Sequence, residues 1–321
     1  MTDDRSDSAG RLPWDPLAAA GVGLAIDAAT AEAVVALRAA GVRSILLKGP
    51  SFDDLLYDAH EPRPYSDIDL LVRSTDLPRA AEVLAGLGYR ERAEREPERI
   101  AAHASVWVRP SDRRYLDLHH TLGGVDRSEA GHWDVLAEDT DTLSVSNTEV
   151  EILSEPARAL HVALHAAVSE PDAEKPTIDL ARAIERLPRE IWEAAAVLAT
   201  RLGADAAFET GLCRLPAGRK LAATLDLAPD RGVEEVLLAS SAPYSAWTVE
   251  RLANAKGVRA KLRILGPRLF PKAEFMRVWY PAARRGRAGL ARAYVQRLAW
   301  LLVMGPRAVR AWLRARRDAR G

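Results

Sequence analysis

Tyr65-Ser66-Asp67-Ile68-Asp69-Leu70-Leu71-Val72, YSDIDLLV, sets two acidic residues at the head of a run that is otherwise apolar. Side chains alternate along a strand, so Asp67 and Asp69 share one face while Ile68, Leu70 and Val72 take the other, toward a core. The two carboxylates converge on one point, where like charges about 4 Å apart repel by on the order of 4 kcal/mol at the intermediate dielectric of a cleft. Such a pair calls for a cation. Mg²⁺ is the natural candidate, a hard ion that prefers carboxylate oxygen and keeps coordination positions for water and phosphate.

Two further stretches gather around this one. In Tyr115-Leu116-Asp117-Leu118-His119-His120 an acid again sits between leucines, His119 lies on its face two residues on, and His120 points to the other face, toward packing. Three carboxylates on neighbouring strands can hold two metal ions, an arrangement that activates an attacking oxygen and stabilises a leaving one in displacement at phosphorus. Upstream, Leu46-Leu47-Lys48-Gly49-Pro50-Ser51-Phe52 reads as a strand ending in glycine and giving way to a helix. That turn leaves unpaired N–H groups where the helix dipole favours an anion. Lys48 adds a charge and Ser51 a hydroxyl donor, which suits a triphosphate.

The remaining elements place these motifs in a fold. An alanine-rich helix is expected over 28–40, a strand over 43–48 halted at Gly49-Pro50, the first turns of a helix over 52–57, and a second strand over 68–72. Asp76-Leu77-Pro78 opens a helix to Leu87 with a cap and an early proline, stopped by Gly88. Strands follow over 104–108, 115–121 and 143–153, the last folded at Asn147, and beyond Glu155 nearly every segment has helical spacing. The expected class is therefore α+β. A small mixed sheet occupies 17–154 with an N-terminal helix, an all-helical region with a basic tail occupies 155–321, and 1–16 is a loose, disordered tail.

Composition narrows the classes of function. A chain of 321 residues, 48% hydrophobic and 28% charged, has an ordinary globular composition rather than a disordered one. Cys213 is the single cysteine, which excludes an internal disulfide and a cysteine-rich zinc site. The polar, acidic opening has no secretion-signal pattern, and the apolar run near the other end is interrupted by Arg297 and Pro306, short of a span. The cytoplasm is the expected compartment. The net charge of zero conceals a polarity: from Lys256 onward there are 18 Lys or Arg against Glu274 and Asp318. Either this basic tail and the acidic body neutralise each other, or the tail meets an anionic partner, nucleic acid or a membrane surface. In the membrane case the helix over 290–317 lies on anionic lipid. Trp279, Tyr280, Trp300 and Trp312 among the tail arginines suit either base stacking or core packing. His161 and His165, four apart on a helix, suit either a metal pair or an interface between the two regions, with Asp179 as a partner for one of them.

Taken in order, LLKGPSF, YSDIDLLV and YLDLHH, the chain resembles the nucleotidyltransferase superfamily that includes DNA polymerase beta and the aminoglycoside nucleotidyltransferases. The closer resemblance is to the bacterial proteins described as uncharacterised nucleotidyltransferases, through Lys48-Gly49, Leu56-Tyr57, Arg63, Asp67 to Val72 and Asp117-Leu118-His119. The likeness continues through Leu160 to His165, Ile178 to Arg182, Leu269-Phe270-Pro271 and Phe275-Met276-Arg277. The resemblance implies that Asp67, Asp69 and Asp117 ligate two Mg²⁺ or Mn²⁺ ions, and that Asp117 completes the site or helps deprotonate the acceptor hydroxyl. His119 is implied as a catalytic base or as the group that orients Asp117. Gly49 and Ser51 would cradle the β and γ phosphates of ATP or another NTP, with Lys48 and Arg63 adding charge. Pro50 departs from the superfamily's Gly-Ser or Gly-Gly by removing a backbone donor there, although proline is at ease at the first position of a helix. The implied reaction is transfer of an NMP to a hydroxyl or phosphate with release of pyrophosphate. The acceptor is expected to be a small molecule, sugar or peptide rather than nucleic acid, and no residue selects the base. The alternative is a non-catalytic nucleotide- or partner-binding module of the same fold, touching nucleic acid or an anionic membrane through the tail.

Overall fold

A computed structural model of the chain describes residues 16–58, 60–92, 103–125, 131–170, 173–227, 232–233, 236–237, 242 and 244–319. The tail expected over 1–16 lies outside the described residues except for Pro16, which opens α1 (Pro16–Ala39). This helix begins well before residue 28 because Gly21 and Gly23 do not interrupt it. At Gly23 a Cβ would lie 3.2 Å from the Tyr65 hydroxyl oxygen, so the missing side chain lets the helix approach the strand side. The stretch Ala20–Ala39 has the length and mean hydropathy, 1.6, of a membrane span. It is nevertheless a core helix: Ile26, Ala29, Ala33, Val34 and Leu37 are buried, and Asp27 accepts the Tyr65 O–H at 2.7 Å.

After α1 come β1 (Ser44–Leu46), α2 (Pro50–Leu56), β2 (Asp67–Val72) and α3 (Leu77–Gly86). Asp76 stands at the cap position of α3, but its carboxylate takes the Thr75 hydroxyl at 3.4 Å instead of capping the helix. Then follow β3 (Arg90–Glu91), β4 (Ala104–Arg109), β5 (Arg114–His119), α4 (His132–Leu136), β6 (Thr140–Val145) and β7 (Thr148–Leu153). The segment expected as one folded strand over 143–153 is a hairpin of β6 and β7. Ser146 and Asn147 turn it with φ of 49° and 61°, the left-handed pair that matches the twist of the flanking strands.

The sheet has seven strands in the order β3-β4-β5-β2-β1-β7-β6 and is mixed. β2 runs parallel to β5, and β1 parallel to β7, while β1–β2, β3–β4, β4–β5 and β6–β7 are antiparallel. One face carries Leu46, Ile68, Leu70, Val72, Leu116, Leu118, Val150 and Ile152 into a core beneath α1 and α3. The alternation of β2 therefore turns Asp67, Asp69 and Leu71 to the opposite face.

That second face is covered by helices. α5 (Glu155–Val168) is buried along almost its whole length and packs with α6 (Glu174–Arg186), α7 (Arg189–Arg201) and α8 (Asp205–Leu212), while α9 (Pro216–Thr224) packs on α6 and α8. Ile45, Leu47, Phe52 and Leu71 from the first half share one hydrophobic cluster with Leu160, Leu164, Trp192 and Phe208 from the second. Sheet and helices are joined by a common core, and the acidic strand face looks into that joint. The closest approach is at Gly211 on α8, where a Cβ would sit 1.9 Å from the Ala163 carbonyl oxygen of α5. Toward the C-terminus, α10 (Tyr244–Asn254) packs with α11 (Val258–Leu269), and α10 and α12 (Ala273–Trp279) pack on α13 (Gly286–Asp318) around two smaller clusters.

Candidate metal and nucleotide site

Register assembles the acids. In the parallel pairing of β2 with β5, Asp69 stands opposite Asp117, Asp67 opposite Tyr115, and Leu71 opposite His119. Ligand atoms of Asp69, Asp117 and His119 lie within 4.8 Å of one another, the one such group of metal-binding type among the described residues. Two carboxylates and an imidazole are a donor set that accepts Mg²⁺ through oxygen and Mn²⁺ through oxygen or nitrogen, so the residues present fit a divalent cation. Asp67, half-buried at the head of β2, is not a member of that group.

The carboxylate at the centre is already engaged. Asp69 is 2% exposed, and its Oδ1 lies 2.7 Å from Lys48 Nζ and 3.0 Å from His119 Nε2. Burial works against its charge, but the Lys48 ammonium and the His119 hydrogen bond hold the carboxyl well below the usual carboxylate range. Burial equally opposes the charge on Lys48, and Asp69, then Asp67 and Asp117, reverse the balance and raise its pKa. Lys48, itself partly exposed, forms an ion pair with the buried Asp69.

Lys48 is placed by the turn that follows β1. Gly49 has φ 62°, a left-handed conformation that favours glycine, and a Cβ there would meet the Tyr65 ring at 3.5 Å. Pro50 then fills the first position of α2, where a missing N–H costs least. The Ser51 hydroxyl is buried at this turn without a hydrogen-bond partner. The turn is thus tight, with its hydroxyl inside rather than facing solvent.

Arg63 is held across the joint. Its guanidinium donates to both carboxylate oxygens of Asp179 on α6, Nε to Oδ1 at 3.0 Å and to Oδ2 at 3.2 Å and Nη2 to Oδ2 at 2.8 Å, and lies over the Phe52 ring at 5.3 Å. Tyr57 donates its O–H to Asp179 Oδ1 at 2.8 Å, and the Arg63 backbone N–H donates to Asp53 at 2.6 Å. Asp179 therefore pairs with Arg63 and Tyr57, not with His161 or His165. His161 is buried and His165 half-buried on α5, with ring centroids 6.4 Å apart and each Nδ1 enclosed without a hydrogen-bond partner. Burial, followed by the positive charge of Lys48, pushes both well below the ordinary histidine range. His161 also packs edge-on to Phe52 at 5.1 Å, and neither histidine joins a metal-type group among the described residues. They belong to the interface. His120 is half-buried beyond the end of β5.

Two cations of the helical half were not singled out in the sequence. Arg158 of α5 reaches the Ser51 carbonyl at 3.3 Å and Asp54 at 3.0 Å, tying α5 to α2. Lys175, one turn before Asp179 on α6, has its pKa lowered to about 8 by burial and then by Arg63, and it feels the charges of Asp67 and Lys48. The one signal for Lys175 was its position four residues from Asp179, which becomes informative once Asp179 is known to meet Arg63.

The model for the family described as "Uncharacterised nucleotidyltransferase" matches residues 17–216. No curated protein matches the chain. Solved structures similar to parts of it include ANT(2")-Ia in complex with adenylyl-2"-tobramycin, at 15% identity over 55% of this chain and 97% of that one, with a TM-score of 0.41. The antibiotic-resistance factor ANT(2'')-Ia in solution is similar at 16% identity over 58% and 94%, with a TM-score of 0.40. A nucleotidyltransferase-like antigenic protein from Paracoccidioides brasiliensis is similar at 11% identity over 59% and 92%, with a TM-score of 0.32. With the matched region running from α1 through the sheet and its acidic pair into the helices that cover it, the chain belongs to the uncharacterised nucleotidyltransferase family.

Proposed function

We propose that the protein is a metal-dependent nucleotidyltransferase that moves an NMP from an NTP to a hydroxyl or phosphate of an acceptor, releasing pyrophosphate. The observation that carries this reading is the meeting of Asp69, Asp117 and His119 on adjacent parallel strands, beside Lys48 and the Gly49 turn. Asp69, Asp117 and His119 would hold the first divalent cation, and Asp67 at the strand head is the carboxylate left for a second. A bound divalent ion in such a site neutralises phosphate charge and makes an attacking hydroxyl more acidic. Lys48 keeps Asp69 ionised and places an ammonium at the phosphate side of the turn, and Lys175 approaches from the helical wall with a second positive charge. His119, bonded to Asp69, fixes that carboxylate's orientation from β5. Arg63, on this reading, acts through Asp179 by locking α6 over the site instead of touching phosphate.

A second reading has its own support. Lys48 stands on Asp69 as a built-in cation, and Pro50 withdraws a backbone donor from the turn, features that also suit a module that binds a partner or nucleotide without turnover. Titration calorimetry with Mn²⁺ and with Mg–NTPs, for wild type, Asp69→Asn and Asp117→Asn, tests the cation site. Wild-type binding lost in both variants supports the site, and equal binding in all three removes it. Pyrophosphate release in a screen of the four NTPs against small-molecule, sugar and peptide acceptors then separates the two readings, with binding but no release favouring the second.

A further inference from the structure

The long C-terminal helix α13 is apolar on the side that faces away from its own packing. Ala293, Ala308 and Ala315 point inward and are almost fully buried. On the opposite side Val295, Leu302, Val309 and Leu313 are 66%, 78%, 40% and 47% exposed. With exposed Ala299 and Pro306 between them, these residues follow one another at spacings of four and three, so they form a single stripe along the helix. At a rise of about 1.5 Å per residue the stripe is roughly 27 Å long. Arg292, Arg310, Arg314 and Arg317 line one edge of it, with exposed Val303 and Trp300 beyond. None of these arginines enters an ion pair among the described residues.

We propose that α13 is a membrane-docking helix that seats this stripe in the interface of an anionic lipid bilayer. The argument is charge complementarity joined to shape. An apolar ridge with cations along its edge matches the boundary between acyl chains and anionic headgroups, where the stem of each arginine lies in the apolar layer and its head reaches phosphate. A second copy of the same helix would bring like-charged edges together. Nucleic acid would satisfy the arginines and leave the ridge of Leu302 and Leu313 without an apolar partner. Burial of its inner face and the arginines in its length make α13 a surface-lying helix; among the described residues it is not one with the length and hydropathy of a span.

The test is co-sedimentation of the full-length protein with phosphatidylcholine vesicles, with and without phosphatidylserine, and with RNA as a competitor. The expected result is binding that needs the anionic lipid. Arg292→Gln/Arg310→Gln/Arg314→Gln should weaken it on the order of a hundredfold, since each basic residue near the surface contributes about a factor of five. Leu302→Glu/Leu313→Glu should abolish it, with unchanged helical circular dichroism as the check on folding. Equal binding to neutral vesicles, no binding to either, or binding indifferent to the Leu302→Glu/Leu313→Glu change overturns the proposal. So does concentration-dependent dimerisation that the leucine variant removes, which would assign the stripe to a second copy.

Discussion

Arg63 and Asp179 join the two halves of the molecule by a charge pair that water does not reach, each side chain 1% exposed. Arg63 lies on the segment that leads into β2, and Asp179 is on α6, so their contact sets how the helices lie over the acidic strand face. Asp179 accepts hydrogen bonds from the guanidinium on both its oxygens and the Tyr57 O–H as well, and removing it alone would leave a buried guanidinium and a buried phenol without their acceptor. A buried pair broken on one side costs about 3–5 kcal/mol, whereas replacing both partners by apolar groups of similar volume is often close to neutral. Asp179→Leu and Arg63→Met should therefore each lose about 3–5 kcal/mol, and the double variant should recover most of that loss, a coupling of at least ~3 kcal/mol. The measurement is urea denaturation of the four proteins, followed by tryptophan fluorescence. Single variants that lose less than ~1 kcal/mol, the range of an exposed pair, would refute the argument. So would a double variant no more stable than the worse single, because the cost would then reside in packing and not in an uncompensated charge.

The two histidines of α5 give a pH signature. His161 and His165 have folded pKa values well below ordinary, so as pH falls through about 6.5 the unfolded chain takes up two protons that the folded state refuses. Stability present above that pH should fall by roughly 2–3 kcal/mol per pH unit beneath it, as judged by denaturation at several pH values, and His161→Gln/His165→Gln should flatten the slope. Lys48→Met leaves Asp69 as a buried carboxylate without its ammonium, so the metal-free protein should lose about 3–5 kcal/mol. Added Mn²⁺ should raise the melting temperature of that variant more than that of wild type, and an equal rise would show that lysine and metal do not compete for Asp69. Gly211→Ala inserts a methyl where a Cβ would stand 1.9 Å from the Ala163 carbonyl oxygen, so α8 must separate from α5. The cost should reach at least the ~1–3 kcal/mol typical of overpacking, read as a lower denaturation midpoint.

The central strands were legible because alternation is a local signal and a buried strand obeys it. DIDLLV could carry its apolar residues to one core only by turning both acids to the other face, and the parallel pairing with YLDLH then fixed Asp117 beside Asp69. Non-local packing hid the rest. The helix expected over 28–40 starts at Pro16, and Gly23 sits inside it because Tyr65 needs the space. β3 is two exposed residues and α4 is five, both too short for periodicity to register. Arg63 carried a charge suited to phosphate, and only the fold could reveal that Asp179, far along the chain, takes it. Lys175 was invisible for the same reason, since its neighbours Asp67 and Lys48 come from the other half of the chain.

Formal charge explains why Lys48 and the acids belong together under either reading of the site. Asp67, Asp69 and Asp117 face Lys48 and Lys175, so three carboxylates against two ammonium groups leave one negative charge, and Arg63 does not offset it because its own charge is neutralised by Asp179. A triphosphate approaching such a site alone would meet a net negative cluster in surroundings of low dielectric, where repulsion is strong. One divalent cation reverses the sign and a second strengthens the attraction. On the proposed reading, nucleotide and metal are therefore a single ligand for this protein, and Lys48 preserves the ionised form of Asp69 until they arrive. The non-catalytic reading uses the same ion pair differently, as a permanent internal cation that stabilises the joint between sheet and helices. The difference between them lies in whether Asp69 can exchange Lys48 for a metal. That exchange is a local rearrangement of one flexible side chain, since the lysine reaches Asp69 from the end of β1 while the backbone around it is fixed by Gly49 and Pro50.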